Sequence, residues 1–202
     1  MLCLSCALPA RVLCEPCRQT LRPVPPRRVA GVVAEAAFLH RDAAANLVRN
    51  MKYRRSLPAA RFLARAMAES VSRDATVLIP VPRALVRRVT YGIDPSHELA
   101  NELAVITGLP VLHALKAPIW WPRRAGAPRS RRGRVVFSSI GGRFDHSVLV
   151  DDVLTSGATM ESAIDALEGA DISVVTATAA GTMESGAVSH TGHGGGLRRS
   201  EE

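Results

Sequence analysis

Apolar and polar positions follow two different periods along this chain, and the switches between them mark out its elements. Residues 29–39, rich in Val and Ala, read as a strand. Asp42 stands where it can cap a helix running to about Lys52. Pro58 suits the first position of a second helix, with Phe62, Leu63, Ala66 and Met67 on one face. Residues 76–81 form a buried strand. Residues 95–107 form a helix with Leu99, Leu103 and Ile106 apolar, stopped by Gly108 and Pro110. Segments 111–115 and 135–138 are short strands, and 148–150 and 172–179 complete the sheet. Between those last two, Met160, Ala163, Ile164 and Leu167 recur at i, i+3, i+4 and i+7, the spacing of a helix that buries one face. Strands alternating with helices predict an α/β fold, a mostly parallel sheet with flanking helices. No internal repeat interrupts it.

Composition sets the outer bounds. The chain has 202 residues, 47% of them hydrophobic, enough for one substantial core with a small appendage. Its formal net charge is +8 and its isoelectric point about 10.3, with Arg greatly outnumbering Lys. No apolar stretch approaches the ~20 residues of a membrane span, and nothing before Cys3 resembles a secretion signal. The expectation is a soluble, cytoplasmic protein. Pro23, Pro25 and Pro26 form a stiff linker after the first 20 residues. From residue 183 the chain is rich in Gly, Ser and His, so 183–202 is expected to be a disordered tail.

The densest chemistry lies at residues 148–159, which read Val-Leu-Val-Asp-Asp-Val-Leu-Thr-Ser-Gly-Ala-Thr. Three apolar β-formers end in the adjacent carboxylates of Asp151 and Asp152. A loop of Thr155, Ser156 and Gly157 with Ala158 and Thr159 then opens a helix. The loop and helix start offer backbone N–H groups and hydroxyls to an anion, helped by the helix dipole. The carboxylates accept hydrogen bonds from a diol or hold a hydrated Mg²⁺. Phosphate donors beside diol acceptors describe a ribose-5-phosphate site.

The four cysteines form the second pattern. They are Cys3-x2-Cys6-x7-Cys14-x2-Cys17, all within the first 17 residues. Two Cys-x2-Cys turns supply four thiolates for a tetrahedral Zn²⁺. The x7 link is short, which points to a compact knuckle. A disulfide framework is the weaker reading for a chain with no secretion signal.

Residues 148–159 resemble the phosphoribosyl diphosphate (PRPP) signature of type I phosphoribosyltransferases. A zinc knuckle first and that signature late is the order of the ComF/GntX family, which the chain resembles over about residues 1–182. Residues 46–54 are similar to that family's helix end around Lys52 and Tyr53. Residues 77–82 are similar to its Pro-Val-Pro strand, and Arg87 and Arg88 fall where a basic cluster follows. Residues 129–137 resemble its Arg-rich approach to the next strand. The resemblance implies a knuckle at 1–20, a phosphoribosyltransferase-like domain at 29–182, and binding of PRPP with Mg²⁺ through Asp151, Asp152 and residues 155–159. It implies transfer of the phosphoribosyl group to an acceptor that the sequence does not name, with release of diphosphate, and a role in DNA uptake during competence.

Two departures bear on the acceptor. After Arg88 the family carries Arg-Gly-Phe-Asn-Gln, whereas this chain reads Tyr91-Gly92-Ile93-Asp94-Pro95 and keeps only the glycine; the family's later Asp-Gln is not evident near 121–126. Members that salvage purines place an acid where Thr155 stands. A hydroxyl takes no proton at neutral pH, which disfavours purine salvage and removes the loop's general base.

The departing diphosphate needs positive charge, for which Arg83, Arg87 and Arg88 are the local candidates. A solvated helix face is the equal alternative for them. The segment 116–134 holds seven basic residues, Arg129, Arg131 and Arg132 among them, with Trp120 and Trp121 and no acid. Basic charge with aromatic rings suits single-stranded DNA. A flap closing over PRPP, or a solvated loop, are the competing readings. A non-catalytic protein that senses PRPP or binds single-stranded DNA is the rival to an enzyme. The six histidines show no ligand pattern: His190 and His193 lie in the tail and His40, His97, His113 and His146 are scattered.

Overall fold

The protein is described here by a computed structural model covering residues 1–83, 94–118, 136–169 and 171–181. Its elements in chain order are α1 (Glu15–Arg18), β1 (Arg27–Val29), β2 (Val32–Leu39), α2 (Asp42–Arg54), α3 (Leu57–Met67), β3 (Val77–Pro80), α4 (Pro95–Thr107), β4 (Leu115–Lys116), β5 (Ser138–Ser139), β6 (Ser147–Leu154), α5 (Ala158–Asp165) and β7 (Ser173–Ala179). A five-stranded sheet runs in the order β1-β2-β7-β6-β3. Only β1 is antiparallel to its neighbour; β2–β7, β7–β6 and β6–β3 are parallel. The fold is therefore the expected mostly parallel α/β sheet with flanking helices.

Both faces of the sheet are covered, so β7 is buried at every position from Val174 to Ala179, Thr176 and Thr178 included. On one face Leu47 and Met51 of α2, Leu63 and Met67 of α3, and Leu99 and Leu103 of α4 pack on Leu78, Val148, Val150 and Val175. On the other, Met160 and Ala163 of α5 join Ile79, Leu149, Val174, Ala114 and Phe137. The cysteine-bearing segment packs on α2: Cys3 and Leu13 belong to the first core, Asn50 Nδ2 donates to the Leu4 carbonyl at 2.8 Å, and Asn46 Nδ2 donates to Ser5 Oγ at 3.0 Å.

Several local expectations change. The strand expected at 29–39 is a hairpin, because Ala30 (φ 49°) and Gly31 (φ 81°) make a two-residue turn between Val29 and its partner Val32. Positive φ at both turn residues matches the twist of a hairpin; Ala at the first gave no such signal. Asp42 does not cap α2. The cap is Arg41, with no side-chain cap bond, and Asp42 pairs instead with the Arg41 Nε at 3.3 Å. In α3 Ser56 is the cap, accepting from the Ala59 N–H, and Pro58 is the second helical residue. α4 ends on Gly108 at φ 75° as expected, yet Ile106 is 45% exposed and lies off the buried face. The strand expected at 111–115 shrinks to a bridge between Val111 and Leu78, followed by the short β4. Among the described residues no helix is long and apolar enough to cross a membrane.

Candidate functional site

Parallel strands of this kind bind ligands beyond their carboxyl ends. Here β3 stops first. Its last pairing is Pro80 with Val150, whereas β6 runs on beside β7 through Asp151–Thr176 and Val153–Thr178 to Leu154–Ala179. Asp151 and Asp152 thus lie inside β6, not at its end as the sequence suggested, and they face a notch left where β3 turns away. The notch is a cavity of about 360 Å³, whose lining includes Asp151, Asp152, Arg83, Thr155 and Thr159. His40 and Lys52 complete its wall.

The two carboxylates sit in different company. Asp152, with a side chain 9% exposed, accepts from Lys52 Nζ at 2.8 Å and Arg83 Nη2 at 3.3 Å, both on the same Oδ2. Asp151 Oδ1 accepts from Ser96 Oγ at 3.1 Å and from the Asp152 N–H at 2.8 Å. Burial, and after it the Asp152 charge, push Asp151 up to about 7 against these hydrogen bonds and Lys52. One carboxylate is thus neutralised by cations, while its neighbour holds a proton near neutrality.

The following loop turns on a glycine. Gly157 caps α5 at φ +84°, and a Cβ there would meet the Val29 side chain at 3.3 Å. Only glycine takes that conformation without cost. Thr155 and Ser156 are exposed. Arg27 of β1 donates from Nη2 to the Thr155 carbonyl and from Nη1 to the Ala180 carbonyl, tying the ends of β6 and β7 together beneath the loop. The first turn of α5 leaves its N–H groups without helical partners and at the positive end of the dipole.

His40, at the carboxyl end of β2, is held by its backbone N–H to the Ala179 carbonyl at 2.8 Å, and its Nδ1 lies 2.8 Å from Thr178 Oγ1. Burial, then the charges of Lys52 and Arg49, lower its pKa below the usual histidine value, and Asp152 opposes them.

The cysteines make a separate cluster. The four Sγ atoms lie within 4.8 Å of one another, and none is in a disulfide. Cys3 Sγ accepts the N–H groups of Ser5 and Cys14, each at 3.4 Å. Four sulfurs at ~2.3 Å from a tetrahedral zinc would stand ~3.8 Å apart, so the donor set fits that ion.

Of the site residues expected from sequence, Arg83, Asp151, Asp152, Thr155 and Thr159 share one cavity, Ser156, Gly157 and Ala158 carry its loop, and Cys3, Cys6, Cys14 and Cys17 converge. Arg87, Arg88, Trp120, Arg129, Arg131, Arg132 and the tail from 183 lie outside the described residues. His40, Lys52, Ser96 and Arg27 were not foreseen at the cavity. His40 had a usable signal, since it directly follows a strand whose carboxyl end must border the site.

The family model described as phosphoribosyl transferase domain matches residues 53–191, more than half of the chain. No curated protein matches the chain. The match begins after the cysteine cluster, β1, β2, His40 and Lys52, so those parts are read from this chain alone.

Proposed function

The chain belongs to the phosphoribosyl transferase domain family, and from that premise we propose that the β6 cavity binds PRPP with its Mg²⁺ and transfers the phosphoribosyl group with release of diphosphate. The observation that carries this reading is the meeting of Asp151, Asp152, Thr155, Thr159 and Arg83 in one cavity of about 360 Å³. In it the loop amides of 155–159 and the start of α5 hold the 5-phosphate. Asp151 and Asp152 accept the ribose hydroxyls. Arg83 and Lys52 exchange their pairing with Asp152 for the diphosphate, stabilising the leaving group as positive charge develops at the anomeric carbon.

The Cys-x2-Cys pairs ahead of this domain support the ComF-type assignment, with zinc held by Cys3, Cys6, Cys14 and Cys17 as a structural ion and DNA uptake as the associated role. Zinc there would fix the segment 1–20 as a knuckle against α2. Thr155, in place of an acid, favours a second reading in which the site binds PRPP without turnover.

Calorimetric titration with PRPP, with and without Mg²⁺, tests the first claim. Binding should require Mg²⁺ and weaken in Asp151→Asn/Asp152→Asn. Unchanged affinity in that variant rules out this cavity. Diphosphate release under the same conditions separates transfer from sensing.

A further inference from the structure

We propose that His40 is the general base of this site, taking the proton of the phosphoribosyl acceptor on its Nε2. The inference rests on the PRPP reading of the cavity and supplies the group that the 155–159 loop lacks. It stands on a hydrogen-bond chain whose direction is fixed at one end. Thr178 Oγ1 lies 3.2 Å from the Asp152 backbone carbonyl, which can only accept, so the single hydroxyl proton of Thr178 points there. The Thr178 oxygen is then left to accept from His40, whose Nδ1 is 2.8 Å away. Nδ1 therefore carries the imidazole proton, and Nε2 of the neutral ring carries the lone pair. His40 also lines the cavity that holds Asp151, Asp152 and Thr155.

The surroundings keep that lone pair available. Lys52 and Arg49 of α2 disfavour a second proton on the ring, burial does the same, and only Asp152 of β6 favours it. The lowered pKa favours the neutral ring, whose Nε2 can take a proton. The main-chain bond from His40 to Ala179 anchors the ring at the end of β2 next to β7, so it is positioned by the sheet and not by a mobile loop.

The step balances as follows. A neutral N–H or O–H nucleophile forms a bond to the anomeric carbon. The bond from that carbon to the diphosphate oxygen breaks, and its electron pair departs with the diphosphate. The nucleophile's proton ends on Nε2, giving an imidazolium that the Asp152 charge stabilises through space, while the Thr178 hydroxyl keeps accepting from Nδ1. The acceptor class follows: a nucleophile with a proton to lose, rather than an anion.

Water and azide are the probe acceptors, because water must lose a proton and azide has none. With the full chain and Mg²⁺–PRPP, His40→Asn, whose amide N–H can keep the bond to Thr178, should cut water-dependent diphosphate release by ~10²–10⁴-fold. Azide-dependent release and PRPP affinity should stay within about threefold. With PRPP saturating at every pH, so that the ionisation of Asp151 does not enter through binding, the wild-type water reaction should lose rate as pH falls through a value below 6.5, and the variant should lack that limb. Equal loss of both reactions, or of neither, overturns the proposal. Independently of turnover, ¹⁵N spectra of the imidazole should show a protonated Nδ1 and a bare Nε2 at pH 7, and the opposite tautomer overturns it. Failure of wild-type protein to bind PRPP in the calorimeter would instead strike the reading of the cavity itself.

Discussion

Helix α2 touches two clusters of ligating atoms, and they handle charge in opposite ways. On one side Asn46 and Asn50 hold the segment in which four thiols crowd within 4.8 Å of one another, with no cationic side chain among the described residues paired to them. On the other, Lys52 reaches Asp152, which also takes Arg83, so the cavity neutralises its own carboxylate. The thiols interfere with one another. Against burial, the N–H groups of Cys14, Cys6 and Ser5 bring Cys3 down to about 6. A hydrogen bond with Ser5 favours the Cys17 thiolate, yet burial and the neighbouring Cys6, Cys14 and Cys3 push that thiol up to about 12. Only one of these two can be a thiolate at neutral pH unless a cation joins them. The thiol cluster would therefore be completed by an ion supplied from outside, whereas the cavity is organised by its own side chains.

That contrast predicts the largest effect for metal removal. Structural zinc in small thiolate sites binds with ~10–16 kcal/mol. Chelation, or Cys14→Ser, should expose the amides of residues 1–20 to hydrogen exchange while β6 and β7 stay protected. The melting temperature should fall only modestly, because Leu47, Leu63 and Leu99 keep their packing without Cys3 and Leu13. One zinc per chain by metal analysis is the companion measurement. Loss of PRPP affinity on chelation would break the comparison, making the two clusters one cooperative unit.

Gly157→Val should damage the other cluster alone. A left-handed backbone costs an L-residue ~1–2 kcal/mol, and the added Cβ would crowd Val29, at 3.3 Å. The loop should shift away from the position Arg27 holds, weakening PRPP binding by ~10-fold or more. Zinc content should stay at its wild-type value. Asp152→Asn probes the same cavity from its carboxylate. It deprives the ribose of a charge-assisted acceptor worth ~1.5–3 kcal/mol, about 10- to 150-fold in affinity, and it leaves Lys52 and Arg83 without their shared counter-charge. Calorimetry reads both. Wild-type affinity in Asp152→Asn would mean that Asp152 serves only to hold the two cations.

Sequence and structure agree best where a pattern is local. The Cys spacing, the loop after Leu154 that opens a helix, and Gly108 ending α4 are short patterns, and the structure has four converging thiols, α5 starting at Ala158 and a left-handed cap. What was not legible depends on strand neighbours. That Asp151 and Asp152 are inside β6 follows from where β3 stops and how far β7 continues, which no periodicity in 148–159 could reveal. The meeting of His40 and Lys52 with Asp152 carried no local signal, because both lie more than 90 residues from Asp152 in the chain and beside it in the fold. Ser96 reaches Asp151 from the start of α4, across the same parallel topology. Segment order in a parallel sheet sets these meetings, and composition carries no trace of it.

The last prediction is a pH slope, and its sign separates the clusters most sharply. Asp151 has its pKa raised from 3.8 to about 7, so between those values the folded chain binds a proton that the unfolded chain has released. Stability from this group is then full below about pH 4 and is lost as pH rises toward 7. His40 contributes the reverse below pH 6.5, because its lowered pKa makes the folded state refuse a proton that the unfolded state takes. The clean readout is therefore the difference between wild type and Asp151→Asn in urea midpoint, at pH 4.5, 6 and 7.5, with zinc saturating throughout. That difference should shrink steadily with rising pH. Over the same interval PRPP affinity should increase, since the ribose hydroxyls need an ionised acceptor. The thiol cluster should slope the other way from Asp151, because zinc binding displaces protons and its stabilisation grows with pH. A flat difference between wild type and Asp151→Asn would show that Asp151 is already ionised at pH 4.5, leaving both carboxylates charged in the cavity.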